Sequence, residues 1–188
     1  AGIIKPGTKT VCHADMNPAA LEVIKKSVLE SGGQFYQPDA AGMRVMSEGL
    51  GFTVIETGGM KIRVPFTGRH MALNTLSVLA AAKLLRDDGF QLSNAMIAKG
   101  IENTCMPARM EIVCKNPLAI IDGGHNEECA QALAQCINQY LRGMRITAVF
   151  AMMSDKDIDA YRKHTAPLFQ SMIVTRPRVA RAQTPEVI

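Results

Sequence analysis

The run Asp122-Gly123-Gly124-His125-Asn126 offers the densest chemistry in the chain. It stands between a short apolar run, Leu118–Ile121, and a segment with helical spacing, so a strand, a turn and a helix are predicted to meet there. In open α/β sheets ligands bind outside the carboxyl ends of the strands. A carboxylate at such an end suits ribose hydroxyls, paired glycines let backbone approach a ligand, and an imidazole near a helix start can meet anionic groups. A tight βα turn with a capping Asp would use the same residues. Arg109, just after Pro107, carries a planar guanidinium able to clamp phosphate; the alternative is a surface ion pair with Glu111 or another acid. Asn74 presents a donor and an acceptor that match the edge of adenine, or else is solvated. Ser154-Asp155-Lys156-Asp157 follows a second apolar run, where its charges either bind ligand at the sheet edge or solvate a loop and start a helix. His13, His164 and the twelve Met show no mutual spacing of a metal site and are predicted to be structural.

Elements must position these side chains. Thr8–His13 is β-prone, Asn17-Pro18 opens a helix, and Leu21, Ile24, Val28 and Leu29 recur at helical spacing until Gly32-Gly33, before a short strand at Gln34–Gln37. Phe52–Glu56 and Met60–Val64 are extended runs joined through Thr57-Gly58-Gly59, a hairpin signal. A helix is predicted over about Ala72–Arg86 with Asn74 in its first turn, and another from Ser93 to Asn103. Pro107 breaks the helical pattern, which divides the chain into residues 1–105 and 106–188. Beyond it, Leu118–Ile121 reads as a parallel strand buried on both faces. A helix over Glu127–Leu141, the apolar run Ile146–Met152, a helix over Ile158–Thr165 and a strand at Ser171–Thr175 follow. That alternation predicts a right-handed, doubly wound α/β layer.

Composition narrows the function classes. With 21 Lys and Arg against 17 Asp and Glu the net charge is +4, which fits anionic ligands and an ordinary solvated surface equally well. The basic residues form no run and aromatics are few, so nucleic-acid binding is not expected. Apolar runs are too short to span a bilayer. Cys12, Cys105, Cys114, Cys129 and Cys136 lack CxxC spacing and no signal peptide precedes them, which predicts reduced thiols in the cytoplasm. Cys129 and Cys136, seven apart on one helix face, read as small core residues. The chain opens without Met and closes on Thr184-Pro185-Glu186, a helix-start signal, so a longer parent is expected.

Taken in order, the motifs resemble the folylpolyglutamate synthase/dihydrofolate synthase family of the Mur ligase superfamily. Ala1-Gly2-Ile3-Ile4-Lys5-Pro6-Gly7 is similar to K-A-G-I-I-K-P-G, and Gly68-Arg69-His70-Met71-Ala72-Leu73-Asn74 to G-x-H-Q-x-x-N. Met106-Pro107-Ala108-Arg109-Met110-Glu111 resembles W-P-G-R-x-E, Asp122–Asn126 resembles D-G-A-H-N, Asp155-Lys156-Asp157 the D-K-D loop, and Arg181-Ala182 a later R-A pair. The resemblance implies the tail of a Mur-ligase-type central ATPase domain, followed by the first part of a Rossmann-like C-terminal ligase domain. It also implies an ATP-dependent ligase that adds L-glutamate to a folate or dihydropteroate carboxylate through an acyl phosphate.

By motif, Asn74 would hold adenine, Arg109 would reach the phosphates, Asp122 would bind ribose and His125 would sit beside the transferred phosphate as the catalytic residue. Asp155 and Lys156 would stand at the substrate edge. ATP is the implied cofactor, with Mg²⁺ ligands, the glycine-rich phosphate loop and a modified lysine all expected upstream of Ala1. The isolated chain is therefore expected to be inactive, and the full-length parent to be a monomer. A Mur-type peptide ligase and a non-catalytic nucleotide-binding module are the alternatives, while an oxidoreductase is disfavoured because no GxGxxG follows a strand. Met71, Met106, Ala108 and Gly124 depart from the family's Gln, Trp, Gly and Ala. Ala108 matters most, since Gly permits backbone angles that Ala resists.

Overall fold

The computed structural model describes residues 3–187, so Ala1 and Gly2 of the first motif lie outside the described residues. The chain divides into two compact units, one ending at Met106 and the other beginning at Pro107.

In the first unit, β1 (Lys9–Val11) and β2 (Gln34–Tyr36) pair in parallel through the crossover helix α1 (Pro18–Glu30). Asn17 caps α1 by accepting from the Ala19 and Ala20 amides, with Pro18 at the first position. Three strands then form an antiparallel meander: β3 (Arg44–Gly49), β4 (Phe52–Thr57) and β5 (Met60–Val64). Gly58 (φ 53°) and Gly59 (φ 71°) supply the two left-handed residues that the tight β4–β5 turn requires. The β3 strand had no signal in the sequence. It is mostly exposed and its register slips between Val45 and Ser47, which erases the period-2 pattern of a half-buried strand.

Helices α2 (Arg69–Asp87) and α3 (Asn94–Glu102) complete this unit. Ile55, Ile62, Val64, Met71, Ala72, Leu76 and Ile101 form its core. Helix α2 starts at Arg69 rather than near Ala72, which moves Asn74 out of the first turn. Gly68, at φ 94° and ψ 154°, sets that start in a conformation that side-chain-bearing residues avoid.

In the second unit, β6 (Glu111–Lys115) and β7 (Leu118–Ile121) form an antiparallel hairpin across Asn116-Pro117. This corrects the expected parallel strand buried on both faces: Leu118 is 36% and Ile121 48% exposed. A four-residue apolar run carries no information about strand direction, and the Asn-Pro dipeptide before it marks the reversal. Helix α4 (Glu127–Tyr140), strand β8 (Thr147–Phe150), helix α5 (Ile158–Thr165), a short 3-10 turn and strand β9 (Ser171–Val174) follow. Strands β8 and β9 pair in parallel, separately from the hairpin, so the α/β alternation is present without one continuous doubly wound sheet among the described residues. Ala130, Met152, Ile158 and Tyr161 form the core, with the Phe150 and Tyr161 rings 5.5 Å apart. Cys136 is buried in α4 as expected, whereas Cys129 is only half-buried. Thr184-Pro185-Glu186, expected to be a helix start, leads into a turn in which the Val187 amide donates to the Thr184 carbonyl at 3.1 Å.

Candidate functional site

The β6–β7 register sets Glu111 opposite Ile121, so the residues one step outward, Met110 and Asp122, face each other at the open end of the hairpin. Two motifs far apart in sequence meet there. The Met110 amide donates to Asp122 Oδ2 at 3.0 Å and the Gly124 amide to Oδ1 at 2.8 Å. The Gly123 amide donates to the Ala108 carbonyl at 2.9 Å, and the Ala108 amide to Glu111 Oε2 at 2.8 Å. These bonds secure Ala108 (φ 55°) and Met110 (φ 49°) in left-handed conformations that side-chain-bearing residues adopt at a cost of about 1–2 kcal/mol each. The buried Met110 side chain anchors the second of them.

Arg109 lies between those two residues, is exposed, and donates from Nη1 to the Ala108 carbonyl at 3.0 Å. Glu111 accepts from the Ala108 amide, and among the described residues Arg109 forms no ion pair with Glu111 or another acid. A Cβ on Gly123 would stand 3.2 Å from Arg109 Nη1, and His125 Nδ1 is 3.4 Å from the Gly123 carbonyl. Guanidinium and imidazole thus border one bare glycine. Gly124 has no room for a side chain: its Cβ would lie 2.7 Å from Cys129 Cβ and 2.8 Å from Asp122 Oδ1.

Asp122 does not cap the following helix. Asn126 does, accepting from the Cys129 amide at 2.8 Å, while Glu127 and Glu128 in the first turn suit the helix dipole. Glu127 also meets His164 Nε2 at 3.0 Å, which ties α4 to α5. Tyr161, which belongs to none of the motifs, is buried in the core of this unit. Burial pushes its hydroxyl up to about 12, and the neighbouring Asp122 and Cys129 push in the same direction.

The Asp155-Lys156 pair lies in the loop after β8, with Lys156 Nζ 3.1 Å from Asp155 Oδ2. The hydrogen bond from Lys156 holds the Asp155 carboxyl below its ordinary range, with its own backbone and the charges of Lys156 and Arg181 adding to the effect. Asp157 takes the helix-starting role by accepting from the Ala160 amide at 2.9 Å. The later motif closes on this loop: the Ser154 amide donates to the Arg181 carbonyl at 2.9 Å and Met153 bridges Ala182. The structure therefore gathers Arg109, Asp122 and His125 in one place, and the 154–157 loop with Arg181-Ala182 in another. Asn74 is exposed on α2 of the first unit, its amide donating to the sulfur of the buried Met71 at 3.6 Å. No three His, Cys, Asp or Glu side chains among the described residues are grouped to hold a metal, and no helix among them is long and apolar enough to cross a membrane.

Residues 108–188, nearly all of the second unit, match the family model described as the Mur ligase, glutamate ligase domain. The chain is 32% identical to the dihydrofolate synthase/folylpolyglutamate synthase of Bacillus subtilis over 163 residues, covering 83% of this chain and 38% of that protein. It is 28% identical to the folylpolyglutamate synthase of Lacticaseibacillus casei, covering 97% of this chain and 44% of that one. The chain belongs to the folylpolyglutamate synthase/dihydrofolate synthase family. Its fold is similar to the structure of Mycobacterium tuberculosis folylpolyglutamate synthase complexed with ADP and AMPPCP, with a TM-score of 0.82, 26% identity, and 99% of this chain and 44% of that one covered. The chain thus spans 38–44% of the length of these relatives. Against the family's D-G-A-H-N, the packing of Cys129 explains the second glycine here, and against W-P-G-R-x-E, Ala108 keeps a left-handed backbone of the kind glycine favours.

Proposed function

We propose that this chain is part of an ATP-dependent ligase that joins L-glutamate to a folate or dihydropteroate carboxylate. In that reaction a carboxylate oxygen attacks the terminal phosphorus of ATP and ADP departs. The glutamate amine then attacks the acyl carbon, losing a proton as phosphate leaves. Such chemistry depends mostly on positioning and charge neutralisation. Arg109 supplies a cation for the phosphates and His125 a donor beside the transferred group. The Asp122 oxygens, each with a lone pair beyond its amide bond, accept from ribose hydroxyls. Asn74 pairs with adenine through its motif on the first unit, and Asp155 and Lys156 meet the second substrate. Mg²⁺, when bound, would neutralise phosphate charge, and none of the residues assigned here is its ligand. Five free thiols suit a reducing compartment, and we place the ligase in the cytoplasm.

The observation that carries this reading is the meeting of Arg109 and His125 at Gly123, locked by Asp122 through both of its oxygens. Its test is steady-state kinetics of the polypeptide that carries this chain, with dihydropteroate and with tetrahydrofolate as acceptors. Arg109→Ala and His125→Ala are each expected to lower kcat/KM by about 100-fold with unfolding midpoints unchanged. Turnover at the parental rate in both variants would remove the assignment.

A further inference from the structure

The first unit contains a groove of about 480 Å³ between β4, β5 and α3, a size suited to a small ligand. Val54, Ala95 and Ala98 provide apolar surface, and Lys61, Arg63, Lys99 and Glu102 surround it. None of these residues has a part in the ligase reading above. We infer that this groove is a second binding site, for a small dianion carrying an apolar body, of the aromatic dicarboxylate class.

Charge gives the sign of the ligand. Three cations and one carboxylate line the groove, a net charge of +2. Glu102 is paired within it to Lys99 at 3.1 Å. Lys61 stands opposite Glu56 in the β4–β5 register, but that carboxylate is taken by Arg44. Lys61 and Arg63 are two apart on β5 and so present their charges on one face. The positive end of the α3 dipole adds to them, because Ala95 lies in the first turn of that helix, behind the Ser93 cap.

Preorganisation gives the groove the character of a site. The Arg63 guanidinium rests 4.4 Å from the centroid of the Phe52 ring. A planar cation stacked in this way has already lost much of its rotamer freedom and keeps its edge donors for a carboxylate. The apolar surface gives the ligand its second requirement. A bare inorganic anion leaves Val54, Ala95 and Ala98 in water, whereas a ring between two carboxylates covers them while each carboxylate reaches a cation.

The test is titration of the whole chain at low ionic strength with isophthalate, benzoate and inorganic phosphate, followed by amide NMR shifts. Isophthalate is expected to produce saturable shifts at Lys61, Arg63, Ala95 and Lys99, and to bind about tenfold more tightly than either other anion. The double variant Lys61→Ala/Lys99→Ala removes two exposed charges without touching the core, and is expected to weaken isophthalate by about tenfold or more with its remaining amides unshifted. Shifts that fail to saturate, shifts confined to residues outside β4, β5 and α3, or equal affinity in the double variant would overturn the site. Equal affinity for phosphate and isophthalate would overturn the class of ligand.

Discussion

Asp122 engages both carboxylate oxygens with backbone amides, so its role as an organiser is as concrete as any ligand contact. The Gly123 amide and Glu111 hold the neighbouring Ala108 at φ 55°, where a methyl group crowds the backbone and glycine would not. Ala108→Gly is therefore expected to stabilise the second unit by up to about 1 kcal/mol, since relief of crowding exceeds the added freedom of the unfolded chain. Chemical denaturation measures this, and a lower midpoint in the variant would contradict it. Tyr161 answers to pH. Its folded pKa of about 12 stands above the ordinary value of 10.0, so the fold favours the protonated hydroxyl. That contribution is whole below pH 10 and is lost as pH rises toward 12. Tyrosinate absorbance should show a late-titrating component, absent in Tyr161→Phe, together with alkaline destabilisation that the variant lacks.

At the scale of elements, the hairpin does what the expected parallel strand could not. An antiparallel return of a few residues brings the segment before β6 against the segment after β7, and two motifs become neighbours. Neither β6 nor β3 was legible in the sequence, because each is mostly exposed and carries a register irregularity that breaks its alternation. Helices were legible to within a few residues, since caps and helical spacing are local signals. Asn126 illustrates this: its side chain satisfies the Cys129 amide and starts the helix that follows His125. Asn126→Ala is expected to cost about 1 kcal/mol and to fray the first turn of α4. Hydrogen exchange at Cys129 checks it, and unchanged protection there would exclude the cap as a stabilising contact.

For the whole molecule, the 188 residues include no glycine-rich loop of the G-x-x-x-x-G-K-[ST] kind that cradles nucleotide phosphates. We expect the purified chain by itself to show no ATP hydrolysis above background, and measurable turnover by homogeneous material would refute this. The order of the motifs along the chain was enough to indicate the family, because residue types at fixed spacing are written in the sequence. Cap residues and helical periods likewise placed the helices. Strand direction, the left-handed turn at Ala108 and Met110, and the enclosure of Tyr161 came only with tertiary structure. Each depends on atoms brought together from distant positions, where hydrogen-bond geometry and exclusion of water decide the outcome and local residue preferences do not.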